Sequence, residues 1–339
     1  VYKLLCSFFN LFGLNEYFYC KNYLLLMIYI LFAILFLAIE LVYFRIADHY
    51  NIIDHPNERS SHTRVTTRGG GIIFLFAAVG ILILHPGYWL PVLGIIIIGL
   101  ISFMDDVFTL SSRVRLLFHF TAVTILFFHL GVFNMVPFYI SALLYVMVIG
   151  IINMYNFMDG INGITGAYSL VILCGLQYVN LKQTAFVQVD MIWLPILACI
   201  VFLFFNFRKK AKCFAGDVGS VTIALWIVML IMQLIYATHN WIYILFLVVY
   251  GVDSGLTIIH RLLLKQNILK AHRMHFYQVL ANERKVSHLW VSTGYALLQG
   301  IIIVAIVANP EINCFLGFLL TIVPLMLIYI IFKPRLQRL

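Results

Sequence analysis

Long runs of apolar residues, separated by short polar loops, follow one another along most of this chain. The runs have the length that a helix needs to cross a bilayer, about 20 residues. They are continuously apolar instead of alternating, which predicts membrane helices and not the strands of a barrel. We predict eleven spans, with ten as the alternative count, near residues 24–45, 70–86, 89–105, 115–131, 138–156, 164–180, 191–206, 219–237, 241–259, 289–308 and 313–332.

The predicted fold is therefore all-α: a polytopic transmembrane bundle forming one integral membrane domain over residues 1–339. Composition agrees, since 63% of the residues are hydrophobic, 10% are charged and mean hydropathy is +1.02. Soluble domains are roughly half apolar and a quarter charged. Residues 1–22 are apolar but broken by polar positions, so we expect an interfacial or partly ordered lead-in there.

The basic residues are distributed unevenly between the two sets of loops. If the spans alternate, 19 of the 22 Lys and Arg residues lie on one side, and the other side holds only Lys182 after the first span. Positive loops stay in the cytoplasm, which predicts an outside N-terminus and a cytoplasmic C-terminus. The net charge of +9 also suits an anionic substrate, whereas nucleic acid is disfavoured because no basic stripe lies outside the membrane loops.

Candidate chemistry begins with NMYNFMDGING, at the end of the fifth predicted span. Asn153, Asn156, Asp159 and Asn162 recur every three residues, which places them along one face of a helix. Polar groups at the end of an apolar helix are costly unless they line a cavity or bind a ligand. An ordinary helix C-cap would need one Asn-Gly pair, so the cluster of four favours a binding site.

A pair of adjacent acids, Asp105 and Asp106, ends the third predicted span in FMDDVFTLSSRVR. Paired carboxylates bind a metal, act as a base or raise the pKa of one another. Two solvated acids at a helix end are the alternative. Arg113 and Arg115 follow in the same short loop, where they could hold an anion.

The motif FAGDVGS opens the eighth predicted span. Its glycines let the backbone approach a ligand closely, and the helix N-terminus suits phosphate. Asp217 is placed to bind a hard cation such as Mg²⁺, although a plain N-cap is the alternative.

Two further motifs are basic. Residues 54–72 combine Arg59, Arg64 and Arg68 with hydroxyls and three glycines, as in an anion-binding loop, or form an ordinary basic cytoplasmic loop. AHRMHFYQ brings together His272, Arg273 and His275, where Arg273 is suited to a pyrophosphate. Carboxylates, amides and basic groups on one membrane face are the groups used in metal-assisted phosphoryl transfer. The six cysteines form no CxxC pair, which argues against a zinc site or a disulfide framework.

Taken together, the five motifs resemble those of the polyprenyl-phosphate N-acetylhexosamine-1-phosphate transferases. This family includes the enzymes that initiate O-antigen and enterobacterial common antigen and the phospho-MurNAc-pentapeptide translocase. The resemblance implies that a lipid phosphate such as undecaprenyl phosphate attacks the β-phosphate of a UDP-N-acetylhexosamine and releases UMP. It also implies Mg²⁺, with Mn²⁺ as an alternative, a bacterial inner membrane and a cytoplasmic active site.

The resemblance implies roles for particular residues. Asp217 and Asn156 would contact the metal or pyrophosphate, and Asp105 or Asp106 would deprotonate or position the lipid phosphate. The remaining substrate-binding residues implied in this way are Asn153, Asp159, Asn162, Phe214, Arg115, Arg59, Arg68, His272, Arg273 and His275.

Departures from the family pattern bear on the sugar. Val65 and Thr67 stand where relatives often have proline, Asn162 replaces an acid in DGING, and AHRMH lacks a run of three histidines. These features favour the O-antigen and capsule type over the translocases, with GlcNAc, QuiNAc and FucNAc left open. A homodimer is also left open, and a transporter of an anionic lipid or nucleotide sugar is the alternative function.

Overall fold

The computed structural model describes residues 16–54, 65–267 and 273–337, and within this part the chain is almost entirely helical. The all-α prediction is confirmed. The only strands among the described residues are β1 (Ile53–Asp54) and β2 (Thr66–Thr67), a short antiparallel pair. The α-helices are α1 (Glu16–His49), α2 (Ile73–Leu84), α3 (Trp89–Phe108), α4 (Ser112–Leu130), α5 (Val132–Met135), α6 (Phe138–Met158), α7 (Ile164–Lys182), α8 (Asp190–Asn206), α9 (Gly216–Thr238), α10 (Val248–Leu263), α11 (Phe276–Gln278), α12 (His288–Ala308) and α13 (Cys314–Gln337).

Nine helical segments in the described residues are long and apolar enough to cross a membrane. Two of the eleven predicted spans are shorter apolar helices, Gly70–Leu84 and Asp190–Asn206. The chain is thus a multi-pass membrane protein, while the orientation of its termini stays a prediction. Of the expected lead-in, residues 1–15 lie outside the described part, and α1 already begins at Glu16.

The centre of the bundle is α9, which contacts α3, α6 and α7. Most of its side chains are buried, including the fully buried Trp226, whose indole N–H donates to the carbonyl of Met191 at 2.9 Å. A helix that is apolar on every side belongs inside a bundle, whereas α1 and α13 lie at the periphery. The first turn of the most enclosed helix carries Asp217.

One membrane segment is interrupted, because residues Trp241–Leu247 form a 3₁₀-helix before α10 begins. Backbone groups in a membrane must find partners inside the protein. At this junction Gln299 Oε1 accepts from Val249 N–H at 3.2 Å, and Gln299 Nε2 donates to Leu245 carbonyl at 2.9 Å. The hydroxyl of Tyr168 accepts from Tyr250 N–H at 3.2 Å. Side chains of α7 and α12 therefore supply hydrogen-bond partners for the backbone groups at this junction.

The two ends of the bundle differ in chemistry. Asn206, at the end of α8, lies near the candidate site described below, and Asp190 begins α8 at the other end. Asp190 Oδ1 accepts from the Tyr29 hydroxyl at 2.5 Å, and its Oδ2 lies 2.6 Å from His85 Nε2. Asp190 thus joins α1, α8 and the chain after α2 at the end remote from the site.

Candidate active site

The glycine loop, residues 68–71, and the FAGDVGS motif lie side by side at one end of the bundle. Gly70 N–H donates to Phe214 carbonyl at 2.8 Å, and Gly71 N–H donates to Ala215 carbonyl at 3.0 Å. A Cβ on Gly71 would overlap the Cα of Gly219, so only glycine permits this approach. The two motifs, about 145 residues apart in the chain, therefore form one support for the start of α9.

Asp106 links α3 to the N-terminus of α9. Its Oδ1 accepts from Asp217 N–H and its Oδ2 from Val218 N–H, both at 2.9 Å. Arg68 Nε lies 2.7 Å from Asp106 Oδ1. A carboxylate at a helix N-terminus satisfies free N–H groups and interacts favourably with the helix dipole. Both oxygens of Asp106 are thus engaged within the protein.

Asp105 faces a different set of donors. Its Oδ1 accepts from Leu110 N–H at 2.5 Å, and its Oδ2 from Arg115 Nη1 at 3.0 Å. The same Arg115 nitrogen lies 3.5 Å from Asp217 Oδ2. Arg115 therefore stands between the carboxylates of Asp105 and Asp217 while remaining partly exposed.

Asp217 is held less tightly than its two neighbours. Asn156 Nδ2 donates to Asp217 Oδ1 at 2.9 Å and to Ser220 Oγ at 3.2 Å. The guanidinium contacts of Asp217 are longer: 3.6 Å to Arg68 Nη2 and 3.5 Å to Arg115 Nη1. Of the three acids, Asp217 is thus the one whose carboxylate is best able to take a new partner.

The turn after α6 carries Asp159 and Asn162. The Thr165 hydroxyl donates to Asp159 Oδ1 at 2.6 Å, and Asn162 Nδ2 donates to Arg208 carbonyl at 2.8 Å. Burial raises the pKa of Asp159 to about 7, while the hydrogen bond from Thr165 opposes the shift. Asn206 fixes the turn, since it accepts from Gly163 N–H at 2.6 Å and donates to Cys213 carbonyl at 2.7 Å.

These elements surround a cavity of about 210 Å³. Six residues named from the sequence line it: Arg68, Asn156, Asp159, Asn162, Phe214 and Asp217. The cavity therefore joins the carboxylate cluster at Asp217 to an aromatic ring and to the amide groups of the turn after α6.

Other predicted site residues are placed elsewhere. Asn153 does not line the cavity; its amide donates to Ile149 carbonyl of its own helix at 2.8 Å. His275 is buried, with its Nδ1 3.6 Å from Asp253 Oδ1, and neither His275 nor Arg273 is among the described residues that line the cavity. Arg59 and His272 lie outside the described residues.

Sequence reasoning missed several residues of the site and its surroundings. Asp54, Asn206, Gln278 and His288 also line the cavity. Asp54 and Gln278 stand at the edges of motifs that were recognised, but nothing in the sequence points to His288. Asp253 was also missed, although an acid within a predicted span is itself a signal for a functional or buried polar site.

The donor set suits a hard cation only in part. Among the described residues, no group of three or more His, Cys, Asp or Glu side chains has an arrangement that could hold a metal ion. Mg²⁺, however, is commonly bound by one or two carboxylates together with substrate phosphates and water. The weakly held carboxylate of Asp217 beside the Asn156 amide fits that mode of binding.

Comparison with known proteins identifies one matching family model. Residues 88–235 match the family model described as glycosyl transferase family 4. This range runs from α3 to α9 and includes Asp105, Asp106, Asn156 and Asp217. It excludes Arg68 and the segment around His275.

Individual relatives are distant but share related names. The chain is 27% identical, over 70% of its length and 71% of the relative, to a probable undecaprenyl-phosphate N-acetylglucosaminyl 1-phosphate transferase of Bacillus subtilis. It is 24% identical to the undecaprenyl-phosphate alpha-N-acetylglucosaminyl 1-phosphate transferase of Escherichia coli K12, covering 56% of this chain and 57% of that protein. A phospho-N-acetylmuramoyl-pentapeptide-transferase of Pelodictyon phaeoclathratiforme is 23% identical, covering 50% of this chain and 58% of that protein. The chain thus spans less than two thirds of the latter two relatives.

Proposed function

The chain belongs to glycosyl transferase family 4, and from this premise we propose that it transfers an N-acetylhexosamine-1-phosphate from a UDP-sugar to a polyprenyl phosphate. An oxygen of the lipid phosphate would attack the β-phosphorus of the UDP-sugar. The bond between the two phosphates of the UDP-sugar breaks, and UMP leaves. The products are polyprenyl-diphospho-N-acetylhexosamine and UMP.

The observation that carries the proposal is the interlocking of three carboxylates with two arginines beside a polar cavity. Arg68 contacts Asp106 and Asp217, and Arg115 contacts Asp105 and Asp217. Two polyanionic substrates repel one another, so a site that joins them needs fixed positive charge. The two guanidinium groups, which are both partly exposed, supply two positive charges at this end of the helix bundle, and a bound cation would offset the third carboxylate.

We propose a role for each of the three acids from the groups that its carboxylate contacts. Asp106 positions Arg68 and the start of α9, since its oxygens contact the Arg68 guanidinium and accept from two backbone N–H groups of that helix. Asp105 lies beside Arg115 and would position or deprotonate the lipid phosphate. Asp217 and Asn156 would hold Mg²⁺, with Mn²⁺ as an alternative. The cation, when bound, would neutralise charge on the diphosphate.

The nucleoside of the UDP-sugar would bind in the part of the cavity that is lined by Phe214 and by the turn after α6. Phe214 offers a ring for stacking on uracil, and Asp159 and Asn162 offer hydrogen-bonding groups. Thr165 and Asn206 hold this wall in place, since they bond Asp159 and Gly163. A preformed wall reduces the entropy lost when the nucleotide binds.

The names of two relatives favour GlcNAc as the sugar and undecaprenyl phosphate as the lipid. We propose the initiating step of O-antigen, capsule or a related cell-envelope polysaccharide as the pathway. The prenyl chain would stay in the bilayer, and the site would face the cytoplasm from the inner membrane, where the basic loops lie.

The decisive experiment measures UMP release by the purified full-length protein. The reaction would contain undecaprenyl phosphate, Mg²⁺ and, in separate arms, UDP-GlcNAc, UDP-QuiNAc and UDP-FucNAc. We expect UMP and lipid-linked sugar in equal amounts in at least one arm. Movement of UDP-sugar or lipid across a vesicle membrane without UMP would instead support a transporter and refute the proposal.

A further inference from the structure

Asp253 is a buried acid within α10 that does not line the cavity. A carboxylate inside a membrane helix is costly unless donors surround it. Two backbone donors come from the start of α11: Phe276 N–H donates to Oδ1 at 2.8 Å, and Tyr277 N–H lies 3.3 Å from Oδ2. Asp253 therefore caps a short helix that belongs to a different part of the chain.

Three side chains complete the surroundings of Asp253. The Tyr295 hydroxyl of α12 donates to Oδ2 at 2.7 Å, and the Thr257 hydroxyl lies 3.4 Å from Oδ1. His275 Nδ1 lies 3.6 Å from Oδ1. Each oxygen thus faces at least two donors, an arrangement that a carboxylate satisfies and an amide does not.

The helix that Asp253 caps reaches the cavity. Gln278, its last residue, lines the cavity, and its Oε1 accepts from His275 N–H at 3.3 Å. Tyr277 extends to the last turn of α6, where its hydroxyl donates to Phe157 carbonyl at 2.9 Å. A Cβ on Gly160 would overlap that hydroxyl, so α11 packs directly on the turn that carries Asp159.

We propose that Asp253 is a positioning residue for the nucleotide-sugar. Its carboxylate fixes the start of α11, and α11 in turn places Gln278 in the wall of the cavity as a substrate contact. This inference rests on the proposed function for the identity of the ligand. It assigns Asp253 and Gln278 to UDP-sugar binding and not to the lipid phosphate, whose charge would face Asp105 and Arg115.

The test uses the full-length protein in nanodiscs with UDP-GlcNAc and undecaprenyl phosphate. Asp253→Asn places an amide N–H₂ against two donors and loosens α11. We expect kcat/KM for UDP-GlcNAc to fall about 10- to 100-fold, mainly through KM, because small displacements of positioning groups have effects of that size. The KM for undecaprenyl phosphate should not change. An unchanged KM for UDP-GlcNAc would overturn the inference.

Asp190→Asn is the matched control. Asp190 is also a buried acid that joins separate helices through a tyrosine hydroxyl and a histidine, but it lies at the end remote from the site. We expect its substitution to lower the thermal midpoint while leaving both KM values unchanged. If Asp190→Asn raised the KM for UDP-GlcNAc as Asp253→Asn does, general loosening would explain both results and the inference would fail.

A double substitution tests whether Asp253 acts through Gln278. If it does, Asp253→Asn combined with Gln278→Ala should lose no more kcat/KM than Gln278→Ala alone. Fully additive losses would contradict the route through Gln278. Should Asp253→Asn not fold, Tyr295→Phe removes one donor only, and we expect a smaller rise of the same KM; no rise would overturn the inference.

Binding of UDP alone separates this inference from the proposed function. We expect Asp253→Asn to weaken UDP or UDP-GlcNAc binding, measured by calorimetry, whether or not transfer occurs. Wild-type protein that releases no UMP with any UDP-sugar would refute the proposed function. Equal affinity of wild type and Asp253→Asn for both ligands would refute the role of Asp253.

Discussion

The Nε of Arg68 lies 2.7 Å from the Oδ1 of Asp106, and that carboxylate also accepts the first N–H groups of α9. One acid therefore sets both the position of an exposed guanidinium and the point at which the central helix begins. The arrangement makes Asp106 a structural support for the neighbouring Asp217.

Substituting Asp106 should affect stability as well as activity. In Asp106→Asn, an amide N–H₂ replaces one carboxylate oxygen and faces a backbone N–H of α9 in either orientation. Loss of a helix cap costs about 1–2 kcal/mol, and we expect a lower thermal midpoint together with reduced transfer. Thermal unfolding in detergent and a UMP assay measure the two effects; reduced transfer at an unchanged midpoint would contradict this support role.

Asp217→Asn should show the opposite combination. The substitution removes a negative charge from a cluster of three acids, and the contacts that Asp217 makes with guanidinium groups are long. We therefore expect transfer to be abolished while the thermal midpoint stays the same or rises. Asp190→Asn serves as the control that retains activity, whereas full activity in Asp217→Asn would refute the site.

Wild-type transfer should also stop on removal of divalent cations and return with Mg²⁺.

Asp159 should make stability depend on pH. Because its pKa in the folded protein is raised from its ordinary value of 3.8 to about 7, folding favours the protonated carboxyl. The stabilisation of the folded protein by the protonated Asp159 carboxyl is complete below pH 3.8 and is lost as pH rises through 7. The midpoint of Asp159→Asn relative to wild type should therefore rise between pH 4 and pH 8. Parallel curves for the two proteins would show that Asp159 does not titrate in this range.

The contact between Gly71 and Gly219 should be intolerant of a methyl group. Gly71→Ala drives a Cβ into the Cα of Gly219, and overpacking of this kind costs about 1–3 kcal/mol. We expect a lower midpoint and a loss of transfer, because the glycine loop carries Arg68. Gly87→Ala is the control, since a Cβ on Gly87 meets no atom within 4 Å. Equal behaviour of the two variants would contradict the close approach.

The helices were predictable from the sequence because apolar runs of spanning length have few other solutions in a membrane. Their lengths were less predictable: the runs at 70–86 and 191–206 form helices shorter than the other nine. The 3₁₀ segment Trp241–Leu247 was not predicted either. Its stability comes from Gln299 and Tyr168, which are distant in sequence, and not from its own residues.

The candidate site was predictable only as a set of motifs. Spacing placed Asn153 and Asn156 on one face of α6, yet Asn156 reaches Asp217 while Asn153 bonds its own helix one turn earlier. The order Asp105–Asp106 could not reveal which acid faces α9, because that depends on how α3 packs. His275 turns toward Asp253, a partner that neither motif nor spacing identified.

The broken membrane segment before α10 places a chemical restriction on one position of α12. Gln299 accepts a hydrogen bond from Val249 N–H on one side of the break and donates one to the Leu245 carbonyl on the other. A glutamate there would lack the donor, a leucine would lack both groups, and an asparagine is one methylene too short to span the same gap. Position 299 is thus limited to a single amide side chain, although Gln299 does not line the candidate cavity.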